Sequence, residues 1–147
     1  MHYRIGLNFD NGEFMKRLVA LFYLFFGIVY LTVVPSTATA QGLENITQSL
    51  HTGSSKSLGK YLQDNVTLNI NNTLSDYSKN QAEQILRDFF RKNPPKEFKV
   101  LHQDEPADTS WFIIGQYHTG QAVYHVLVKG LKQEEKLVVS TIEFTKQ

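Results

Sequence analysis

At Asn93-Pro94-Pro95 the hydrophobic period of this chain changes, and that change restricts the fold more than any other feature. Upstream, apolar residues recur at helical spacing: Leu43, Ile46 and Leu50, then Leu58, Tyr61 and Leu62 after the break at Gly53, then Ala82, Ile85, Leu86, Phe89 and Phe90. Downstream the period becomes twofold, with strand candidates at 98–101, 111–118, 123–129 and 137–145. Residues three and four apart share one face of a helix, whereas every second residue shares one face of a strand. The prolines end the helical part, because a pyrrolidine ring cannot continue it. The connections at 104–110, Thr119-Gly120 and 130–135 are short, which favours antiparallel neighbours. Helices first and strands after is the α+β pattern, with a curved antiparallel sheet wrapped around N-terminal helices on one face.

Local signals refine this. Val66-Thr67-Leu68-Asn69-Ile70 alternates as a half-buried strand, and Asn71-Asn72 ends it. Ser78 and Gln81 have the spacing of a capping box, in which the serine oxygen accepts from the backbone N–H three residues on and the glutamine reaches back, so a helix starts at Lys79. Tyr77 stands just ahead of that cap, where an apolar body packs on the first turn.

The first forty residues read as an address. Met15-Lys16-Arg17 is a charged start, 18–31 an apolar run, and Ala38-Thr39-Ala40 a small-x-small cleavage pattern, which predicts cleavage before Gln41. The expected division is an over-extended N-terminus at 1–14, a secretory signal peptide at 15–40 and one domain at 41–147. The expected location is the periplasm of a Gram-negative envelope. The alternative is an inner-membrane anchor, since the apolar stretch through Val34 approaches the length of a spanning helix.

Composition excludes several classes. The chain has no cysteine, hence no disulfide framework, thiolate metal site or cysteine nucleophile. Setting aside Arg4, Lys16, Arg17, Asp10 and Glu13 with the leader leaves 12 basic and 12 acidic residues, a balance unsuited to nucleic acid. The one basic cluster, Arg87, Arg91, Lys92, Lys96 and Lys99, is interleaved with Asp88 and Glu97 and reads as a solvated helix end. His51, His102, His118 and His125 lie in separate elements without HxH or HExxH spacing, so neither a metal nor a cofactor is expected. No glycine-rich phosphate loop or nucleophile elbow occurs. Asn45, Asn65 and Asn71 open Asn-x-Thr triplets that common composition generates by chance.

The stretch from Tyr77 to Phe98, YSKNQAEQILRDFFRKNPPKEF, with Ile114-Gly115 and Tyr124-His125-Val126 further on, resembles a family of small exported bacterial proteins known only as a domain of unknown function. That family is similar to the nuclear-transport-factor-2-like superfamily of cystatin-like folds. The resemblance implies a cone in which a curved sheet closes over helices, and it brings no catalytic residue with it.

An enzyme of that shape needs a carboxylate base and hydrogen-bond donors converging inside the cone. If Tyr124, Val126, Val128, Ser140, Ile142 and Phe144 face the helices, alternation sends His125, Leu127, Thr141 and Glu143 outward, making His125 and Glu143 a solvated cross-strand pair. The candidate pocket residues are Tyr61, Asp64 and Tyr77 at the mouth of the cone, and Trp111 for stacking on a flat ligand. Val123, Leu127, Leu137 and Val139 are expected to lay apolar side chains on the outer sheet face, which something must cover. A second copy or an envelope protein fits that role. The leading expectation is a non-enzymatic module that binds a small apolar ligand or a protein partner, as a homodimer; the alternative is an isomerase or hydrolase-like enzyme with a polar cavity inside the cone.

Overall fold

The computed structural model describes residues 11–30, 37–104 and 109–147. The chain divides into two compact units, 1–35 and 36–147. The first contributes one helix, α1 (Asn11–Tyr30), with Lys16 and Glu13 paired at 3.2 Å on its surface. Among the described residues no helix is long and apolar enough to cross a membrane. Residues 1–10 of the expected over-extended start at 1–14, and the end of the apolar run at 31–34, lie outside the described residues.

The second unit begins with α2 (Thr37–Thr52), which carries the anticipated cleavage pattern in its first turn. Leu43, Ile46 and Leu50 form its buried stripe. Gly53 ends it at φ +65, where the Ser54 N–H bonds to Ser49 O and the Gly53 N–H to Leu50 O. This paired closure needs a left-handed residue, hence the glycine. The short α3 (Ser55–Gly59) follows, capped by the Ser54 hydroxyl. It stops earlier than the spacing of Leu58, Tyr61 and Leu62 predicts: Leu62 is already the first residue of β1 (Leu62–Ile70).

Asn71 and Asn72 both adopt positive φ, 52 and 67, and turn β1 into β2 (Thr73–Ser78) with Ile70 opposite Thr73. A two-residue turn of this hand matches the twist of a hairpin, and asparagine tolerates it. The pair that reads as a strand end is therefore a hairpin turn. The capping box forms as expected: Gln81 N–H to Ser78 Oγ at 3.5 Å and Ser78 N–H to Gln81 Oε1 at 3.1 Å. It starts α4 (Lys79–Lys92), whose Ala82, Leu86, Phe89 and Phe90 are buried.

After Asn93, the strands β3 (Pro95–Gln103), β4 (Ser110–Thr119), β5 (Val123–Gln133) and β6 (Lys136–Lys146) form an antiparallel meander. The sheet order is β2-β1-β6-β5-β4-β3. Helix α4 thus connects one edge strand to the other, and the meander returns until β6 lies beside β1, parallel to it. The sheet is mixed rather than purely antiparallel, with β1 and β6 as its one parallel pair among the described residues.

Irregularities in register interrupt β3 against β4, β6 against β5, and β1 against β6. One of them decides which residues face inward. Lys129 pairs with Thr141 and Gly130 with Val139, so Ser140 is an extra residue on β6. A bulge of this kind shifts the alternation by one place. Ile142 and Phe144 face the helices as expected, but so do Leu137 and Val139, which are 4% and 0% exposed. Ser140, expected inside, is half-buried, and its hydroxyl donates to Lys129 O at 3.3 Å.

Candidate functional site

An interior chamber, the outer sheet face and the helical surface are the places where this architecture can carry a site. Among the described residues, aromatic rings pack the interior. Phe89 and Phe90 from α4 meet Tyr117, Tyr124 and Phe144 from the sheet, with ring centroids between 4.4 Å (Phe89 to Phe144) and 6.3 Å (Tyr117 to Tyr124) and mostly edge-on or tilted. Those are favourable aromatic geometries. Asn93, the residue that stops α4, ties the cluster together. Tyr117 Oη donates to Asn93 O at 2.7 Å, Tyr124 Oη donates to Asn93 Oδ1 at 2.9 Å, and Asn93 Nδ2 donates to Phe89 O at 3.0 Å. Every polar atom brought inside by the two tyrosines thus has a partner. Burial, and then the neighbouring Tyr124, push the Tyr117 phenol well above the ordinary tyrosine range. Among the described residues the buried polar side chains are Ser49 and Ser55, and no carboxylate or histidine is buried.

The four residues read as a pocket do not meet. Trp111 is 2% exposed; its ring lies against Gly130, and its Nε1 donates to Leu131 O at 3.1 Å. A Cβ on Gly130 would come within 2.3 Å of that indole and 2.1 Å of Val138 O, so only glycine fits there. Tyr77 is half-buried against the core beside the cap of α4, on the far edge strand. Asp64 is exposed on β1. Tyr61 sits between α3 and β1, where Asn45 Nδ2 donates to its hydroxyl at 2.9 Å.

On the outer sheet face, ladder pairing sets Leu127 beside Ile114 and Glu143, and Lys129 beside Phe112 and Thr141. Ile114 is 37% exposed, and Phe112, Leu127 and Val123 are half-buried, while His102 lies 5.5 Å from the Phe112 ring. Leu127 and Val123 stand on this face, whereas Leu137 and Val139, expected here as well, are turned into the core by the bulge. The sequence pattern did not single out Phe112 and Ile114. His125 and Glu143 share this face but are not partners: His125 stands opposite Thr145 and touches the Gln147 amide, while Glu143 stands opposite Leu127 and accepts from Asn69 Nδ2 at 3.2 Å.

A curved, mostly antiparallel sheet over N-terminal helices is the nuclear-transport-factor-2-like (NTF2-like) arrangement. An NTF2-like protein of unknown function from Shewanella baltica superposes with a TM-score of 0.58 at 13% identity, over 79% of this chain and 96% of that one, a likeness of fold alone. Within that class the chain belongs to the DUF4783 family, a domain of unknown function whose model matches residues 43–145. The crystal structure of a DUF4783 family protein from Bacteroides uniformis is similar at 32% identity and a TM-score of 0.68, covering 71% of this chain and 95% of that one. One from Bacteroides ovatus is similar at 28% identity and 0.67, covering 70% and 93%. No curated protein matches.

Proposed function

We propose that this chain is an exported, periplasmic binding module that acts through the outer face of its sheet, with a second copy of itself as the occupant. The observation that carries this reading is the apolar run of Phe112, Ile114 and Leu127 across β4 and β5, on the sheet face opposite to helices α2 to α4. An antiparallel sheet that meets only water is polar on its open side. Six strands at ~4.8 Å spacing give an outer face on the order of 700 Å², close to the ~800 Å² per partner of an ordinary stable interface.

Charge supports a second copy. Asp76 on β2 and Glu143 on β6 lie on one half of the face; Lys129 on β5 and Lys99 on β3 lie on the other, with Glu97 at its far end. A twofold axis along the strands lays each half over the opposite half of its partner, acid over base. The enzymatic alternative requires a polar chamber with a carboxylate inside the cone, where five aromatic rings now stand. The leader at 15–40 supports export, and amino-terminal sequencing that finds Gln41 first would bear it out.

Sedimentation velocity across a concentration series tests the pairing. A dimer that Leu127→Arg converts to a folded monomer is the expected result; a monomeric native protein, or a dimer indifferent to that substitution, overturns it.

A further inference from the structure

Tyr61 stands where two surface grooves meet on the helical side of the domain. One, of about 270 Å³, runs between the polar face of α2, with Asn45, Gln48 and Thr52, and the α3–β1 junction, with Ser57, Lys60 and Tyr61. The other passes Tyr61 toward Gln41 and Lys136. The first groove has a definite chemistry. Its polar groups are amides and hydroxyls on walls that are also partly apolar; among the described residues none that lines it is a carboxylate, and Lys60 is its cation.

Tyr61 is held firmly for a surface residue. Its carbonyl accepts from the Val139 N–H at 2.7 Å, and its own N–H bonds to Leu58 O at 3.0 Å. Its hydroxyl ends a directed relay: Gln41 Nε2 donates to Asn45 Oδ1 at 3.2 Å, and Asn45 Nδ2 donates to Tyr61 Oη at 2.9 Å. With the Asn45 amide in this orientation the phenol oxygen is an acceptor. The phenol proton is left to donate, and donation into its oxygen strengthens it as a donor. A donor fixed in direction before a ligand arrives loses little entropy on binding.

We infer that this groove binds a single hydroxyl-rich sugar ring, with the Tyr61 hydroxyl donating to a ring substituent and the α2 amides making the remaining hydrogen bonds. Drug-sized ligands occupy sites of roughly 300–1,000 Å³, so a groove of about 270 Å³ suits a smaller one. An apolar ligand would leave the amides and hydroxyls unpaired, at a cost in affinity for each. A cationic ligand would meet Lys60 and no carboxylate. A neutral sugar and a sugar acid share the remaining chemistry, and Lys60 distinguishes them.

The test is amide chemical-shift titration of the purified protein, carrying whatever N-terminus it has in the cell, with methyl glucoside, N-acetylglucosamine and glucuronate. Saturable shifts at Asn45, Lys60 and Tyr61 with at least one probe are expected. Tyr61→Phe, which keeps the ring, should weaken binding about tenfold, the worth of one hydrogen bond. A Lys60→Gln variant that loses only glucuronate marks the ligand as a sugar acid. Absence of saturable shifts with all three probes at concentrations far above millimolar overturns the inference, and so does undiminished binding by Tyr61→Phe. Because Leu127→Arg alters the other side of the sheet, it should bind sugar like the native protein, so this inference and the dimer reading fail separately.

Discussion

The inner and outer faces of the same sheet are built from the same strands, yet they tolerate different changes. On the inner face each residue is fixed by several neighbours: Phe144 alone lies near Phe89, Phe90 and Tyr117, and Gly130 has room for nothing larger. On the outer face Phe112, Ile114 and Leu127 have neighbours along the sheet, and helices α2 to α4 pack on the opposite side. The lesson is that apolar residues on one strand can serve two purposes. Those inside hold the domain together, while those outside add little to its stability and are available for association.

Substitutions ordered by their expected cost sharpen that contrast. Phe144→Ala removes a fully buried ring from the aromatic cluster and should cost ~3–5 kcal/mol, read as a lowered denaturation midpoint in urea. Asn93→Ala leaves the Tyr124 hydroxyl without its acceptor, and a cost of about 1–3 kcal/mol is expected in the same measurement. Leu127→Arg, on the other face, should move monomer stability by less than ~0.5 kcal/mol while abolishing self-association. If Leu127→Arg proves as damaging as Phe144→Ala, the two faces are not distinct in the way described.

Alkaline pH probes the inner face without a large substitution. The Tyr117 phenol has a raised value in the folded chain, so the folded state keeps its proton where the unfolded state has released it. Stability from this group is therefore fully present below about pH 10, the ordinary tyrosine value, and is lost as pH rises beyond it. Tyr117→Phe should flatten that decline relative to the native protein, seen by comparing their urea midpoints between neutral and alkaline pH.

Much of the fold was legible in periodicity and capping. The switch at Asn93-Pro94-Pro95, the α4 stripe and the Ser78–Gln81 cap each follow from a local rule. The misses were of two kinds. Strand β2 was hidden because it is short and none of its residues is fully buried, although Asn71-Asn72 between alternating segments is a hairpin signal in its own right. The inward turn of Leu137 and Val139 was not legible, because alternation predicts a face only while register holds, and a single extra residue at Ser140 reverses it. Phe112 and Ile114 escaped notice within Trp111-Phe112-Ile113-Ile114, an unbroken apolar run in which alternation leaves no mark. Tyr61 was singled out, but for a cone mouth shared with Tyr77; its actual partner, Asn45, lies on a helix sixteen residues earlier.

The parallel seam between β1 and β6 has a consequence for the timing of folding. It joins the earliest strand of the sheet to the last, and the bond from Asn69 to Glu143 spans 74 residues. Until β6 has been synthesised, the β1–β2 hairpin and the strands β3 to β5 are two half-sheets, each with an open edge. Contacts of such long separation form slowly, and open edges invite wrong pairing. A growing chain therefore has no complete sheet until β6 arrives, and removing β6 takes away the strand that unites the halves.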